Sequence, residues 1–190
     1  GLFVPQAIPA VDWQELRGLN YAELALRIMK IFLPELPHKT LTEAVNVYQD
    51  GRFASANPAP LINLDVCGLL ELWHGPTAAF KDMALQVLPY LLRSSAKTIG
   101  LQEDILILTA TSGDTGKAAL EGFRDVPGTK IMVFYPEGGV SPVQEKQMTT
   151  TGGFNTRVAA VQGNFDQCQT AVKKMFSSQS LRQRLQQKGI

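Results

Sequence analysis

The chain has 190 residues, 45% of them hydrophobic, with 18 basic against 17 acidic side chains and a formal net charge of +1. That suits one domain, or one and a fraction, with a proper core, and excludes disorder by composition. It offers no basic block that would neutralise a nucleic-acid backbone, and no run of about 18 apolar residues that would span a membrane.

The opening, GLFVPQAIPA, does not read as a signal peptide. Cys67 and Cys168 have no CxxC spacing, so free thiols in a reducing compartment are expected, and with them a soluble cytoplasmic protein. Both ends look abrupt, and the chain reads as a piece of a longer protein.

Residues 12–49 read as helical. Leu24, Ile28, Ile31 and Phe32 recur at helical spacing, Asp12 is a plausible cap before Glu15, and Pro34 and Pro37 end the first helix. TLTEAVNVYQD predicts a second short helix closed by Gly51, and FASANPAPLINL reads as a connector. From about residue 61 strands and helices alternate. LLELW (69–73) is a short strand candidate, and the segment 78–95 is an apolar helix. Phe80, Ala84, Val87, Leu88 and Leu91 share one face of that helix, and Pro89 is its kink. DILILTA (104–110), KIMVFY (130–135) and TRVAAV (156–161) are short, nearly continuous apolar runs, as in strands buried on both faces. Helices are predicted between and after them at 114–123, 141–150 and 165–176. The alternation predicts a parallel α/β layer.

Two segments could carry chemistry. TATSGDTGKAA (109–119) follows a strand and turns through small residues into a helix. Such a turn aims backbone N–H groups at one point, the helix dipole assisting, at the strand end where open α/β sheets bind ligands. Thr111, Ser112 and Thr115 add hydroxyls; a plain capped turn, with Ser112 or Asp114 as N-cap, explains the same residues. A phosphate-binding P-loop is excluded, because Gly116-Lys117 is followed by Ala118 and preceded at the required spacing by Thr111. In ELWHGPTAAFKDMALQ (71–86), Lys81 opens an apolar helix after a Gly-Pro turn. It is either a solvated, snorkelling side chain or an amine desolvated for covalent catalysis. Asp82 next door is a carboxylate that would favour the solvated, charged side chain.

These two segments, together with YPEGGVSPVQEKQMTTTGGFNTRVAAVQGNFDQCQ (135–169), closely resemble the threonine synthase family, and GLFVP looks like its N-terminal signature. The resemblance runs over essentially the whole chain, most densely from 61 to 176. It implies a fold-type II enzyme dependent on pyridoxal 5'-phosphate (PLP), in which the lysine matching Lys81 carries the cofactor. The family's loop matching Thr111, Ser112, Gly113 and Thr115 holds the substrate carboxylate, and the residue matching Asp114 lies near the cofactor's 3-hydroxyl. The implied reaction takes O-phospho-L-homoserine and water to L-threonine and phosphate, with the freed lysine as general base at Cα and then Cβ. No metal is implied, and the resemblance says nothing of oligomeric state.

The resemblance also implies a domain plan. Residues 1–60 are a helical N-terminal region and 61–190 the small α/β domain, a three-layer unit. The large domain that carries the cofactor's phosphate loop is not within these residues. The glycine pairs in EGGV (137–140) and TGGF (151–154) read as turns, so half a PLP site is expected and the isolated chain should be inactive. His74 and Thr77 sit in the lysine's motif without an assigned step. Ser141, Gln144, Glu145 and Lys146 match a family segment that a solvated amphipathic helix explains as well. Two other readings stay open: a related phospholyase that yields a 2-oxo acid, and a non-catalytic anion-binding α/β module.

Overall fold

The computed structural model describes residues 4–190, so the first three residues of the GLFVP signature lie outside the described residues. Helix α1 spans Tyr21–Phe32. It starts nine residues later than expected at Asp12, because the second of two capping signals is the one in use. Asn20 accepts from the Glu23 N–H at 3.0 Å, and Glu23 accepts from the Asn20 N–H at 2.9 Å. Asp12 instead accepts from the Gln14 N–H at 2.8 Å in a run of turns. Those turns reach Gly18, whose φ of +79° breaks the helical path.

Helix α2 (His38–Val45) follows the two prolines and closes in a 3-10 turn at Asn46–Tyr48. Ala22, Ala44, Val45, Val47, Tyr48 and Phe53 form a core with Val87. The Tyr48 hydroxyl donates to the Met83 carbonyl at 2.6 Å. The helical region thus packs directly on the segment that follows Lys81.

The next stretch departs from expectation. Leu61–Asn63 (β1) and Gly68–Leu70 (β2) pair as an antiparallel hairpin. The strand expected at 69–73 contributes only its first two residues, and β1 lies within the stretch expected as a connector. The helix expected over 78–95 is two, α3 (Asp82–Leu85) and α4 (Leu88–Thr98). Pro89 has no N–H to donate and its ring would meet the Leu85 carbonyl, so the helix restarts with proline in its first turn. The predicted stripe does not survive the break. Val87 is buried and Leu91 half-buried, but Phe80, Ala84 and Leu88 are exposed.

The remainder follows the expected α/β plan. Strands β3 (Ile105–Ala110), β4 (Thr129–Pro136) and β5 (Thr156–Val161) form a parallel sheet in the order β3-β4-β5. Helices α5 (Asp114–Phe123), α6 (Pro142–Thr150), α7 (Phe165–Ser177) and α8 (Gln179–Gln186) complete it. The central strand shows why its sequence is a continuous apolar run. Ile131, Val133 and Tyr135 pack with Leu120 and Phe123 of α5 and Met148 of α6, while Met132 and Phe134 pack with Cys168 and Val172 of α7. The result is helix, sheet, helix.

Cys168 is buried and Cys67 exposed, both unbonded, and burial pushes the Cys168 thiol up. Among the described residues no helix is long and apolar enough to cross a membrane.

One buried polar side chain pins the connections at the start of the sheet. Asn155 donates to the carbonyls of Phe123 at 2.8 Å and Thr129 at 3.2 Å, and accepts from the Asp125 N–H at 2.8 Å. Asn155→Ala strands these buried groups. A loss of about 3 kcal/mol is expected, since each unsatisfied buried group costs about 1–3 kcal/mol. Urea denaturation should show a lower midpoint at unchanged slope.

Candidate active site

Lys81 occupies the N-cap position of α3 with helical φ and ψ, and its side chain is half-buried. Its ammonium sits 4.0 Å from the centre of the Phe80 ring, in a cation–π contact. What fixes this corner is Asp82, which is fully buried. Its two oxygens accept from the Thr77 N–H and the Thr77 hydroxyl, both at 2.8 Å. In sequence, Asp82 is an electrostatic neighbour of the lysine. The structure makes it the clamp that folds the HGPT turn back onto α3. Gly75 is needed there, because a Cβ would lie 2.5 Å from the Asp82 carboxylate. His74 is half-buried, and its Nε2 shares a 2.6 Å hydrogen bond with Glu71.

The turn after β3 is built around Thr111, itself 2% exposed. Its hydroxyl accepts from the N–H groups of Gly113 (3.0 Å) and Gly116 (2.9 Å) and donates to the Gly113 carbonyl (3.1 Å). Its own N–H donates to the Phe134 carbonyl at 2.9 Å. Thr111 therefore shapes the turn, and neither of its donors is free for a ligand. Gly113 has φ of +140°, and a Cβ on it would fall 2.4 Å from the Gln144 amide. Ser112, Asp114 and Thr115 are exposed. Among the described residues their backbone N–H groups have no intramolecular partner; those of Asp114 and Thr115 lie in the first turn of α5, which leaves such groups open, and that of Ser112 lies just before it. N–H groups left open in this way can receive an anion.

A carboxylate beside these groups would repel an anion unless its charge were taken up. Gln144 Nε2 donates to Asp114 at 2.9 Å, and the Lys117 ammonium, 8% exposed, lies 3.2 Å away. The Gln144 hydrogen bond above all, then Lys117 and the charge of Lys81, outweigh desolvation and hold the Asp114 carboxyl below its usual range. Asp114 is ionised at neutral pH, and Lys81 is near enough to help keep it so. Lys117, the lysine of the excluded P-loop pattern, is committed to Asp114.

Helix α6 joins the two loops. Gln144 completes a capping box with Ser141 through Oε1, which accepts from the Ser141 N–H at 3.0 Å, while its Nε2 reaches Asp114. One turn on, Gln147 Nε2 lies 3.5 Å from the Thr77 carbonyl. Glu145 accepts from the Tyr135 hydroxyl at 2.9 Å, and Lys146 is exposed. The capping box is legible in SPVQ, but the reach of the two glutamines to separate loops is not. Among the described residues no group of three or more His, Cys, Asp or Glu side chains could hold a metal.

The chain as a whole has relatives among known proteins. Residues 1–47 match the family model described as threonine synthase N terminus. The chain is 42% identical over 187 residues to a threonine synthase of Pseudomonas aeruginosa, covering 94% of this chain and 39% of that protein. Identity to the Escherichia coli threonine synthase is 38%, covering 96% of this chain and 41% of that one. A crystal structure of PLP-bound threonine synthase from Brucella melitensis superposes with a TM-score of 0.88 at 39% identity, over 98% of this chain and 40% of that one.

In sequence and in fold, this chain matches the N-terminal part of threonine synthases. It spans about two fifths of the length of these relatives. The agreement with threonine synthases extends to the yeast structure, with a TM-score of 0.85 at 35% identity. It confirms the α/β fold expected from the resemblance.

Proposed function

We propose that these residues supply the cofactor lysine and the substrate-carboxylate turn of a threonine synthase, which converts O-phospho-L-homoserine and water to L-threonine and phosphate. The observation that carries this reading is the convergence of Lys81 with the turn at 111–115. The two lie on separate segments, yet α6 reaches both: Gln144 Nε2 donates to Asp114 at 2.9 Å, and Gln147 Nε2 lies 3.5 Å from the carbonyl of Thr77, in the turn that leads to Lys81.

The residues present fit PLP. Lys81 has a primary amine on a fixed corner, half-buried and without a salt-bridge partner among the described residues. The nearby anionic Asp114 suits a position facing the cofactor's 3-hydroxyl. When bound, PLP supplies the electron sink that stabilises negative charge at Cα and Cβ of an amino acid. The protein directs which protons leave. The Lys81 amine takes the proton from substrate Cα and later one from Cβ, acting as general base. Ser112 and Thr115, with the N–H groups of 112, 114 and 115, receive the substrate carboxylate and so fix the direction of the Cα–H bond. Thr111 and Gly113 give the turn its shape.

Further expectations belong to this reading. The partner is a small phosphorylated amino acid, not nucleic acid, and the protein acts in the cytoplasm in threonine biosynthesis. Residues 1–60 and 61–190 serve as helical region and small domain, and these 190 residues alone are expected to make no threonine, since only one wall of the PLP cleft is built from them.

Ser112→Val and Thr115→Val test the turn. Each should weaken binding of O-phospho-L-homoserine by about one to two decades, the value of a hydrogen bond to a charged group, about 1.5–3 kcal/mol. Affinity for PLP should change little, because the carboxylate comes from the substrate. Titrating both ligands against the full-length polypeptide checks this; equal losses would assign the turn to the cofactor phosphate. Product analysis of the same protein decides the reaction, and a 2-oxo acid in place of threonine would assign it to a phospholyase.

A further inference from the structure

We propose a second anion site, for a small organic molecule bearing a phosphate or carboxylate, in the cleft between the helical region and the start of the sheet. A cavity of about 840 Å³ lies between α2, α4 and the turn that precedes β4. That volume suits a ligand of nucleotide size, within the roughly 300–1,000 Å³ of small-molecule sites. It is not the Lys81 site. Val126 and Pro127 line it just before β4 begins, whereas the turn at 111–115 follows the end of β3. The two lie at opposite ends of a parallel sheet, roughly 20 Å apart at about 3.3 Å per strand residue.

Charge makes the cavity specific. Lys39, Arg52, Arg93, Lys97 and Arg124 line it, against the carboxylates of Glu43 and Asp125. Three of these cations are already engaged: Arg52 with Asp50 at 2.8 Å, Arg124 with Glu121 at 2.7 Å, and Lys39 with Glu43 at 3.8 Å. Asp125 accepts from the Phe154 N–H at 2.9 Å. Arg93 and Lys97 have no salt-bridge partner among the described residues, and they stand one turn apart on α4. Beside them the hydroxyls of Thr40 and Ser94 meet at 3.1 Å, joining α2 to α4 at the cavity wall. A guanidinium and an ammonium one turn apart, with hydroxyls adjacent, form a receptor for phosphate or carboxylate oxygens. Pro37, Pro89 and Tyr90 give an apolar wall for the rest of the molecule.

Titration calorimetry of the full-length polypeptide with adenosine monophosphate, inorganic phosphate and citrate as probes tests this. The three arms separate a nucleotide-sized phosphate ester, a bare phosphate and a carboxylate. Saturable one-to-one binding of at least one probe is expected. The double variant R93Q/K97Q should weaken it by about tenfold or more, with an unchanged circular dichroism spectrum, and Lys81→Ala should leave it intact. If the double variant folds poorly, K97Q alone, at an exposed position, should show a smaller loss in the same direction. No saturable binding by any probe, binding that survives R93Q/K97Q, or binding that disappears with Lys81→Ala would overturn the proposal.

Discussion

Lys81→Ala in the full-length polypeptide is expected to abolish threonine formation while leaving the fold intact. No other side chain in the corner can replace the amine, because His74 is hydrogen-bonded to Glu71 and Lys117 is committed to Asp114. The structural cost is small. Lys81 caps α3 through no side-chain hydrogen bond, and alanine is an excellent helix former. Its cation–π contact with Phe80 is worth about 0.5–1 kcal/mol at such a site. Lys81→Arg should fail as completely, since a guanidinium stays protonated at any working pH and cannot act as base. A phosphate-release assay, with the circular dichroism spectrum as control, checks both variants. Retention of most of the activity in either would remove the covalent and general-base roles.

Asp82→Ala is expected to give the second-largest effect, on turnover and on stability together. The buried carboxylate is the acceptor for two Thr77 donors, and its removal leaves both without a partner. Bonds to a charged group are worth about 1.5–3 kcal/mol each, offset in part by removing a buried charge, so a net loss of about 3 kcal/mol is expected. The HGPT turn then loosens, and Lys81 with it. A displacement of about 1 Å of a catalytic group can cost about a hundredfold in rate. Asp82→Asn, which preserves the shape and one acceptor, should recover part of both losses. The separating readout is kcat against KM: a positioning role lowers kcat, whereas damage to the substrate turn raises KM.

The legible and illegible parts of this chain divide along physical lines. The sheet was legible because β4 is buried on both faces, and a strand of that kind must be a continuous apolar run. The turn at 111–115 was legible as a strand-to-helix turn because small residues with a glycine follow an apolar run and precede a helical one. The start of α1 was not, because Asp12…Glu15 and Asn20…Glu23 are equivalent capping signals, and Gly18 decides between them only through its backbone angle. Pro89 in an apolar run is compatible with a kink inside one helix, but here it starts a second helix and the apolar stripe does not cross the break. Three of its five residues are exposed. The deepest miss was at the site. Thr111 and Ser112 look alike as hydroxyl donors, yet one is buried under the turn and the other lies on its surface. Nothing in SPVQEKQ announces that Gln144 and Gln147 reach two loops more than 30 residues apart in sequence. Such contacts are set by how α6 lies across the sheet, which no local pattern encodes.

The claim that Lys81 is the cofactor lysine can be measured directly. The full-length polypeptide is incubated with PLP, reduced with borohydride, digested and mapped by peptide mass spectrometry. The account predicts a pyridoxyl mass on Lys81, stoichiometric with protein and absent after Lys81→Ala. A label at another lysine, or one scattered over exposed lysines such as Lys39 and Lys146, would contradict it.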